Sequence, residues 1–232
     1  MSSIMGINYQ HSINMDLKQN KKRKFIRSLL KWSRNNCRHF EWRVQRTPYR
    51  VLIAETILRR TTSKAADRIF IYLIRKYPSI HQLAIASKKE LAKDLKPIGL
   101  YHQRSTGLIQ AAKFIEEIYS GVIPKSLDEL IRVPHIGDYA ASCILSFGMG
   151  VPVPVVDSNV IRVISRVFRD EVGARPSVKE VIKFLSDFIP QKDHDLFNYG
   201  IIDLGALICT YRSCGQDRCP FVNICDFKRK NC

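Results

Sequence analysis

The sequence predicts an all-α fold. Helical periodicity runs through nearly every segment, and the strict alternation of a half-buried strand is scarce. Three Ser-x-x-Glu pairs, Ser87 with Glu90, Ser126 with Glu129 and Ser177 with Glu180, stand at the start of apolar-periodic runs as capping boxes do. The 232 residues, 45% apolar and 25% charged, make one large domain or two small ones of ordinary globular composition.

The elements follow in chain order. Residues 1–20 are expected as a disordered end. The run "KQNKKRKFIR" (18–27) is densely basic and reads as a phosphate-contacting arm or as the solvated start of a helix. "TPYRVLIAETILRRTTSKAADRIFIYLIRKY" (47–77) opens with Thr47 as a cap and Pro48 in the first turn, and is long enough for two helices. "SKKELAKDL" (87–95) and "SLDELIRV" (126–133) begin on their capping serines. Pro134 stops the second of these, and a new helix begins after Gly137 in "PHIGDYAASC" (134–143). "VPVPVV" (151–156) is too rich in proline for a helix, and Asp157 then introduces "NVIRVISRVF". "SVKEVIKFLSDFI" (177–189) is the last capped segment.

Charge narrows the function. Lys and Arg number 38 against 21 Asp and Glu, leaving +17, so the expected partner is a polyanion, nucleic acid above all. No apolar run of about 18 residues exists to span a membrane. The N-terminus lacks the apolar core of a secretory signal, so the expected setting is the cytoplasm, on the nucleoid.

Four features carry chemistry. Two helices joined by the few residues around Gly137 make an αα-corner or a helix–hairpin–helix, whose N–H groups and helix dipole attract a phosphate without reading a base. Asp157 is a preferred helix cap, and a carboxylate beside a sugar also stabilises an oxocarbenium ion or orients a water. Glu55, inside "VLIAETIL", is either a carboxylic acid held in apolar surroundings or a residue at the edge of the apolar stripe. Four of the seven cysteines, Cys209, Cys214, Cys219 and Cys225, fall in "CTYRSCGQDRCPFVNIC", with Cys232 close behind. In a reducing compartment they suit an iron–sulfur cluster or a structural zinc, though the two-residue gaps usual for zinc are missing. Cys37 and Cys143 stand apart as inert thiols.

Together, "WR" with "TPYRVLIAETILRRTT", "IGLYHQR", "VPHIG", "VVDSNVIRV" and the terminal cysteines resemble the helix–hairpin–helix DNA glycosylases of the endonuclease III and MutY superfamily, over about residues 25–225. "AETILRRTT" and "IGLYHQR" lean toward the Mig-type thymine glycosylases, which remove thymine mispaired with guanine. The resemblance implies a two-lobed all-α fold, with a six-helix barrel over 43–152 and a cluster-bearing lobe made of 21–42 and 153–232. It implies a monomer acting on mismatched double-stranded DNA, with the target base flipped out. Cys209, Cys214, Cys219 and Cys225 would ligate a [4Fe–4S] cluster. Cys214 sits two places earlier than the family pattern, with Cys232 as a reserve ligand. Val133, His135 and Gly137 would mark the phosphate-binding hairpin, with His135 where the family has glycine. Arg59, Arg60, Leu100 and Gln103 would meet the duplex.

The lyase-type members carry a lysine two residues after the hairpin glycine. Tyr139 stands there, and a phenol forms no imine, so simple hydrolysis of the N-glycosidic bond is expected, with Glu55 and Asp157 as the acidic groups. Three rival readings are a MutY-type adenine glycosylase, for whose second domain the 232 residues leave no room, a glycosylase for another modified base, and a non-enzymatic DNA-binding hairpin.

Overall fold

The structure is a computed structural model that describes residues 2–212 and 214–231. Its helices are α1 (Ser2–Asn36), α2 (Pro48–Leu58), α3 (Ser63–Lys76), α4 (Ile80–Ala84), α5 (Lys88–Leu95), α6 (Tyr101–Tyr119), α7 (Leu127–Leu130), α8 (Asp138–Cys143), α9 (Ser158–Val167), α10 (Arg169–Val172), α11 (Val178–Ser186), α12 (His194–Leu207) and α13 (Asp226–Asn231). The described residues contain no strand, only an isolated antiparallel bridge between Cys209 and Cys214. The all-α expectation therefore holds. The chain forms two compact units, His39–Val155 and the discontinuous Met1–Arg38 with Val156–Cys232.

Helix starts follow the caps. Thr47 Oγ1 accepts from Arg50 N–H at 3.3 Å, and Ser87 and Ser126 Oγ accept from Glu90 and Glu129 N–H at 3.4 and 3.3 Å. At Ser177 the box is reciprocal, with Ser177 N–H donating to Glu180 Oε2 at 2.7 Å. Thr62 and Ser79 add two side-chain caps beyond those read from the sequence. Two boundaries differ from expectation. The helix expected over 126–133 is a single turn, α7, which passes into i→i−3 bonds, from Arg132 N–H to the Glu129 carbonyl at 3.2 Å and from Val133 N–H to the Leu130 carbonyl at 3.1 Å, before Pro134. The chain is helical from Ser2, where a disordered end was expected over 1–20; the stretch holds no proline to stop α1.

In the 39–155 unit, α6 packs against α4 and α5, and buries Leu108, Ala112 and Ile115 along one face. Trp42 meets the edge of Phe70, with ring centroids 6.1 Å apart. α8 runs on as a π-helical turn over Ile144–Gly148, which lies against the start of α2.

In the other unit Phe25 of α1 is fully buried, stacked on Phe221 at 4.3 Å and edge-on to Phe168 at 5.1 Å. α1 lies so close to α12 that a Cβ at Gly200 would sit 2.0 Å from Ser33 Oγ. Lys21 Nζ pairs with the buried Asp226 at 2.7 Å and with Glu171 at 3.1 Å. Lys22 Nζ stands 5.0 Å over the Phe184 ring. These two lysines of the basic run are spent on packing, so neither a phosphate arm nor a solvated face describes them.

A Cβ at Gly148 would meet Pro48 Cα at 2.8 Å, and backbone on both sides cannot yield as a flexible side chain would. Gly148→Ala should therefore cost about 1–3 kcal/mol by overpacking. Chemical denaturation checks this; unchanged stability would mean that the contact gives way freely.

Candidate functional site

Three loops of the 39–155 unit converge: the end of α2 (59–61), the turn before α6 (98–100) and the hairpin between α7 and α8 (133–137). Thr56, Arg59, Leu100, Gln103, Gly107 and His135 help to line a cavity of about 510 Å³ there. Each loop holds one non-glycine residue in the left-handed region: Arg60 at φ 51°, Leu100 at φ 48° and His135 at φ 66°. Such residues cost of order 1–3 kcal/mol each and persist only where their surroundings hold them.

The holding bonds are specific. Arg59 Nη2 donates to the His135 carbonyl at 2.9 Å, and His135 Nε2 meets Gln110 Oε1 at 2.6 Å. The His135 ring lies over Gly107, where a Cβ would come within 3.2 Å of its Cγ. The strain at His135 is thus offset by a glycine beneath the ring and an amide beside it. Arg104, only 4% exposed, donates from Nη1 to the carbonyls of Ile98 (2.6 Å) and Gly99, and from Nη2 to the Arg59 carbonyl and Thr61 Oγ1 (2.5 Å). Burial lowers its pKa from the usual arginine value.

Within the hairpin, Val133 is buried and its N–H donates to the Leu130 carbonyl at 3.1 Å, so its side chain anchors the turn. Gly137 is extended at φ −99°, and a Cβ there would meet nothing within 4 Å. The fold itself does not demand glycine at 137. Tyr139 is 39% exposed and so is not a core residue of α8. Glu55 is half-buried on α2, beside the buried Ala54.

Asp157 belongs to the other unit and is the N-cap of α9. Its Oδ1 accepts from Val160 N–H at 2.8 Å and its Oδ2 from Asn159 Nδ2 at 2.9 Å. Asn159 Oδ1 accepts in turn from Arg162 Nη2 at 2.7 Å, and Arg162 Nε donates to the Cys209 carbonyl at 2.7 Å. The chain of hydrogen bonds fixes the Asp157 rotamer from behind.

The cysteine segment follows α12. The bridge between Cys209 and Cys214 closes the short first loop, with Gly215 N–H donating to the Ile208 carbonyl at 3.2 Å. Burial pushes the Cys219 thiol up to about 11, a Phe221 N–H opposes this, and the thiols of Cys209, Cys214 and Cys225 add to the rise. Arg166 Nη1 donates to Cys209 Sγ at 3.3 Å. Among the described residues no three His, Cys, Asp or Glu side chains are already drawn together as metal ligands. Four soft sulfur donors in one short segment nevertheless match what an iron–sulfur cluster takes. Cys232 lies outside the described residues.

The sequence candidates Arg59, Leu100, Gln103 and His135 meet at the cavity, and Arg60 is in the same loop as Arg59. Arg104, Gln110 and Gly107 were not among the candidates. A signal for Arg104 was present: it shares the buried stripe of α6 with Leu108 and Ile115, where a cation needs a reason.

A family model described as HhH-GPD superfamily base excision DNA repair protein matches residues 53–191. The chain is 36% identical to a thymine-DNA glycosylase of Aeropyrum pernix, over 86% of this chain and 92% of that one. It is also 36% identical to a thymine/uracil-DNA glycosylase of Pyrobaculum aerophilum, over 89% and 93%. The solved structure of a thermostable thymine-DNA glycosylase superposes with a TM-score of 0.86 at 29% identity, covering 92% of this chain and 99% of that one.

Asp157 as a cap can be separated from Asp157 as a reactive group. Asp157→Ala should destabilise the fold by about 0.5–2 kcal/mol, whereas Asp157→Asn, an equivalent cap, should change it by less than about 0.5 kcal/mol. Denaturant titration of both variants checks this; equal losses would mean that the charge, not the cap, matters to the fold.

Proposed function

This chain belongs to the HhH-GPD superfamily of base excision DNA repair proteins, and on that premise we propose that it is a monofunctional DNA glycosylase that hydrolyses the N-glycosidic bond of thymine, or uracil, opposite guanine. It acts as a monomer on mismatched double-stranded DNA, in the cytoplasm on the nucleoid. No helix among the described residues is long and apolar enough to cross a membrane. The observation that carries the hydrolytic reading is the exposed Tyr139, two residues after the hairpin glycine, where an attacking amine would otherwise stand.

The roles follow from chemistry. The hairpin around His135 and Gly137 holds a phosphate, and the open space at Gly137 admits one. Arg60 and Leu100, exposed and left-handed, enter the gap that the extruded nucleotide leaves in the duplex, with Arg59 and Gln103 behind them. Glu55 hydrogen-bonds the base or gives it a proton as the bond from C1′ to the base nitrogen breaks. Asp157 stabilises the positive charge that builds at C1′ and positions the water whose oxygen bonds there; the water's proton is released. Tyr139 packs on or hydrogen-bonds to the extruded nucleotide. The products are the free base and an abasic site in an intact strand.

Cys209, Cys214, Cys219 and Cys225 would hold a [4Fe–4S] cluster. When bound, it supplies four iron–sulfur bonds that close the 209–225 segment. Arg166 adds a charge-assisted hydrogen bond at Cys209.

Incubation with a panel of mismatched and modified duplexes should release thymine or uracil opposite guanine, with strand breaks only after alkali. Glu55→Gln and Asp157→Asn should each lower single-turnover excision by about 100-fold or more. Borohydride should trap no adduct with the wild type, whereas Tyr139→Lys should become trappable, since burial against the bound DNA lowers a lysine's pKa and leaves some free amine. Adenine as the main product would favour the MutY-type reading, and wild-type rates in both acid variants would sink the assignment.

Metal analysis should return iron and acid-labile sulfide at about four each per chain. Stoichiometric zinc without iron would overturn the cluster.

A further inference from the structure

We infer that Arg104 is a positioning residue: its guanidinium fixes the spacing of the two loops that carry Arg60 and Leu100, and so the shape that this pair presents to a duplex. The inference rests on the reading that Arg60 and Leu100 fill the gap in the duplex.

The geometry is particular to these two residues. Nη2 takes the Arg59 carbonyl and Thr61 Oγ1, one on each side of Arg60. Nη1 takes the carbonyls of Ile98 and Gly99, the two residues before Leu100. One planar fork thus grips both left-handed residues by their neighbours. The loops touch directly through Thr61 Oγ1, which donates to the Ile98 carbonyl at 3.3 Å, a long bond. All four acceptors of Arg104 are uncharged, so a buried cation is held by dipoles alone, which is a costly choice for a purely structural strut. A fork explains the choice. Two nitrogens at a fixed spread reach two loops at once, whereas the single ammonium of a lysine serves one. Arg59, whose carbonyl the fork holds, passes the constraint on through its own side chain to the His135 carbonyl at 2.9 Å. The wedge loops and the hairpin are thereby set against each other from one buried point on α6.

The test is a double-mutant cycle on binding, independent of catalysis. The probe is a duplex with a tetrahydrofuran abasic-site analogue opposite guanine, bound to the full chain and to Arg104→Lys, Leu100→Ala and the double variant. Arg104→Lys should weaken binding by about tenfold in the wild type but by less than about twofold in the Leu100→Ala background, since contacting or coupled residues are not additive. General destabilisation would weaken both backgrounds by the same factor, and that result would overturn the inference, as would no loss at all. Thr61→Val, which removes one of the four acceptors together with the long bond to the Ile98 carbonyl and leaves Arg104 in place, should weaken binding by about threefold, with the same dependence on Leu100. It decides the matter if Arg104→Lys fails to fold. Failure of base excision with the cycle intact would sink the glycosylase reading and leave the positioning role standing. Excision with an additive cycle would do the reverse.

Discussion

Every helix end must be satisfied, and in this protein helix ends are everywhere. α7 and α10 are four residues long, α4 five and α8 six, so in these helices terminal N–H and C=O groups outnumber those inside ladders. Serine and threonine side chains cap the starts of α2, α3, α4, α5, α7 and α11. Other ends are answered by unusual groups: a carboxylate at α9, a buried guanidinium at the close of α2 and before α6, and a glycine without a side chain at α8. These are the places where the proposed chemistry sits. An N-terminus that needs an anion binds phosphate or keeps a carboxylate ready, and carbonyls that need a donor recruit an arginine.

The two units meet this constraint differently. In the discontinuous unit, α1 braces the rest through aromatic packing around Phe25 and through buried ion pairs. Arg38 donates from its backbone and side chain to the fully buried Asp203 at 2.7 and 2.8 Å, and Lys21 does the same service for Asp226. Asp226 adjoins Cys225, so the cysteine segment hangs from a charge that the N-terminal helix neutralises. In the 39–155 unit the binding is by polar lacing of three loops, and the strain of Arg60, Leu100 and His135 is carried by Arg59, Arg104 and Gln110. Strained residues held by polar side chains, one of them the buried Arg104, form a surface whose shape is set before any ligand arrives.

Much of this was legible in the residue order. Capping pairs, proline positions and helical periodicity act within a few residues, so they located the starts of α2, α5, α7 and α11. The +17 charge and the hairpin pattern pointed to a phosphate backbone. The fate of "KQNKKRKFIR" was not legible: Lys21 and Lys22 look like solvent-facing charges until partners about 150 residues away, Glu171 and Phe184, are brought to them. Nor could the order tell that His135 would be tolerated, because that depends on Gly107 and Gln110 from another helix.

The sequence by itself determined the helical class, the starts of α2, α5, α7, α8, α9 and α11, the helix–hairpin–helix turn, the cysteine quartet and the absence of an amine at 139, because each is a matter of local backbone chemistry or of side-chain type. Only the tertiary structure decided that Tyr139 faces outward, that Val133 is an anchor, that Asp157 is held by Asn159 and Arg162, and that Arg104 grips two loops. Those outcomes depend on which groups are buried together and which donors remain to satisfy their carbonyls, a condition set by packing between segments far apart in the chain.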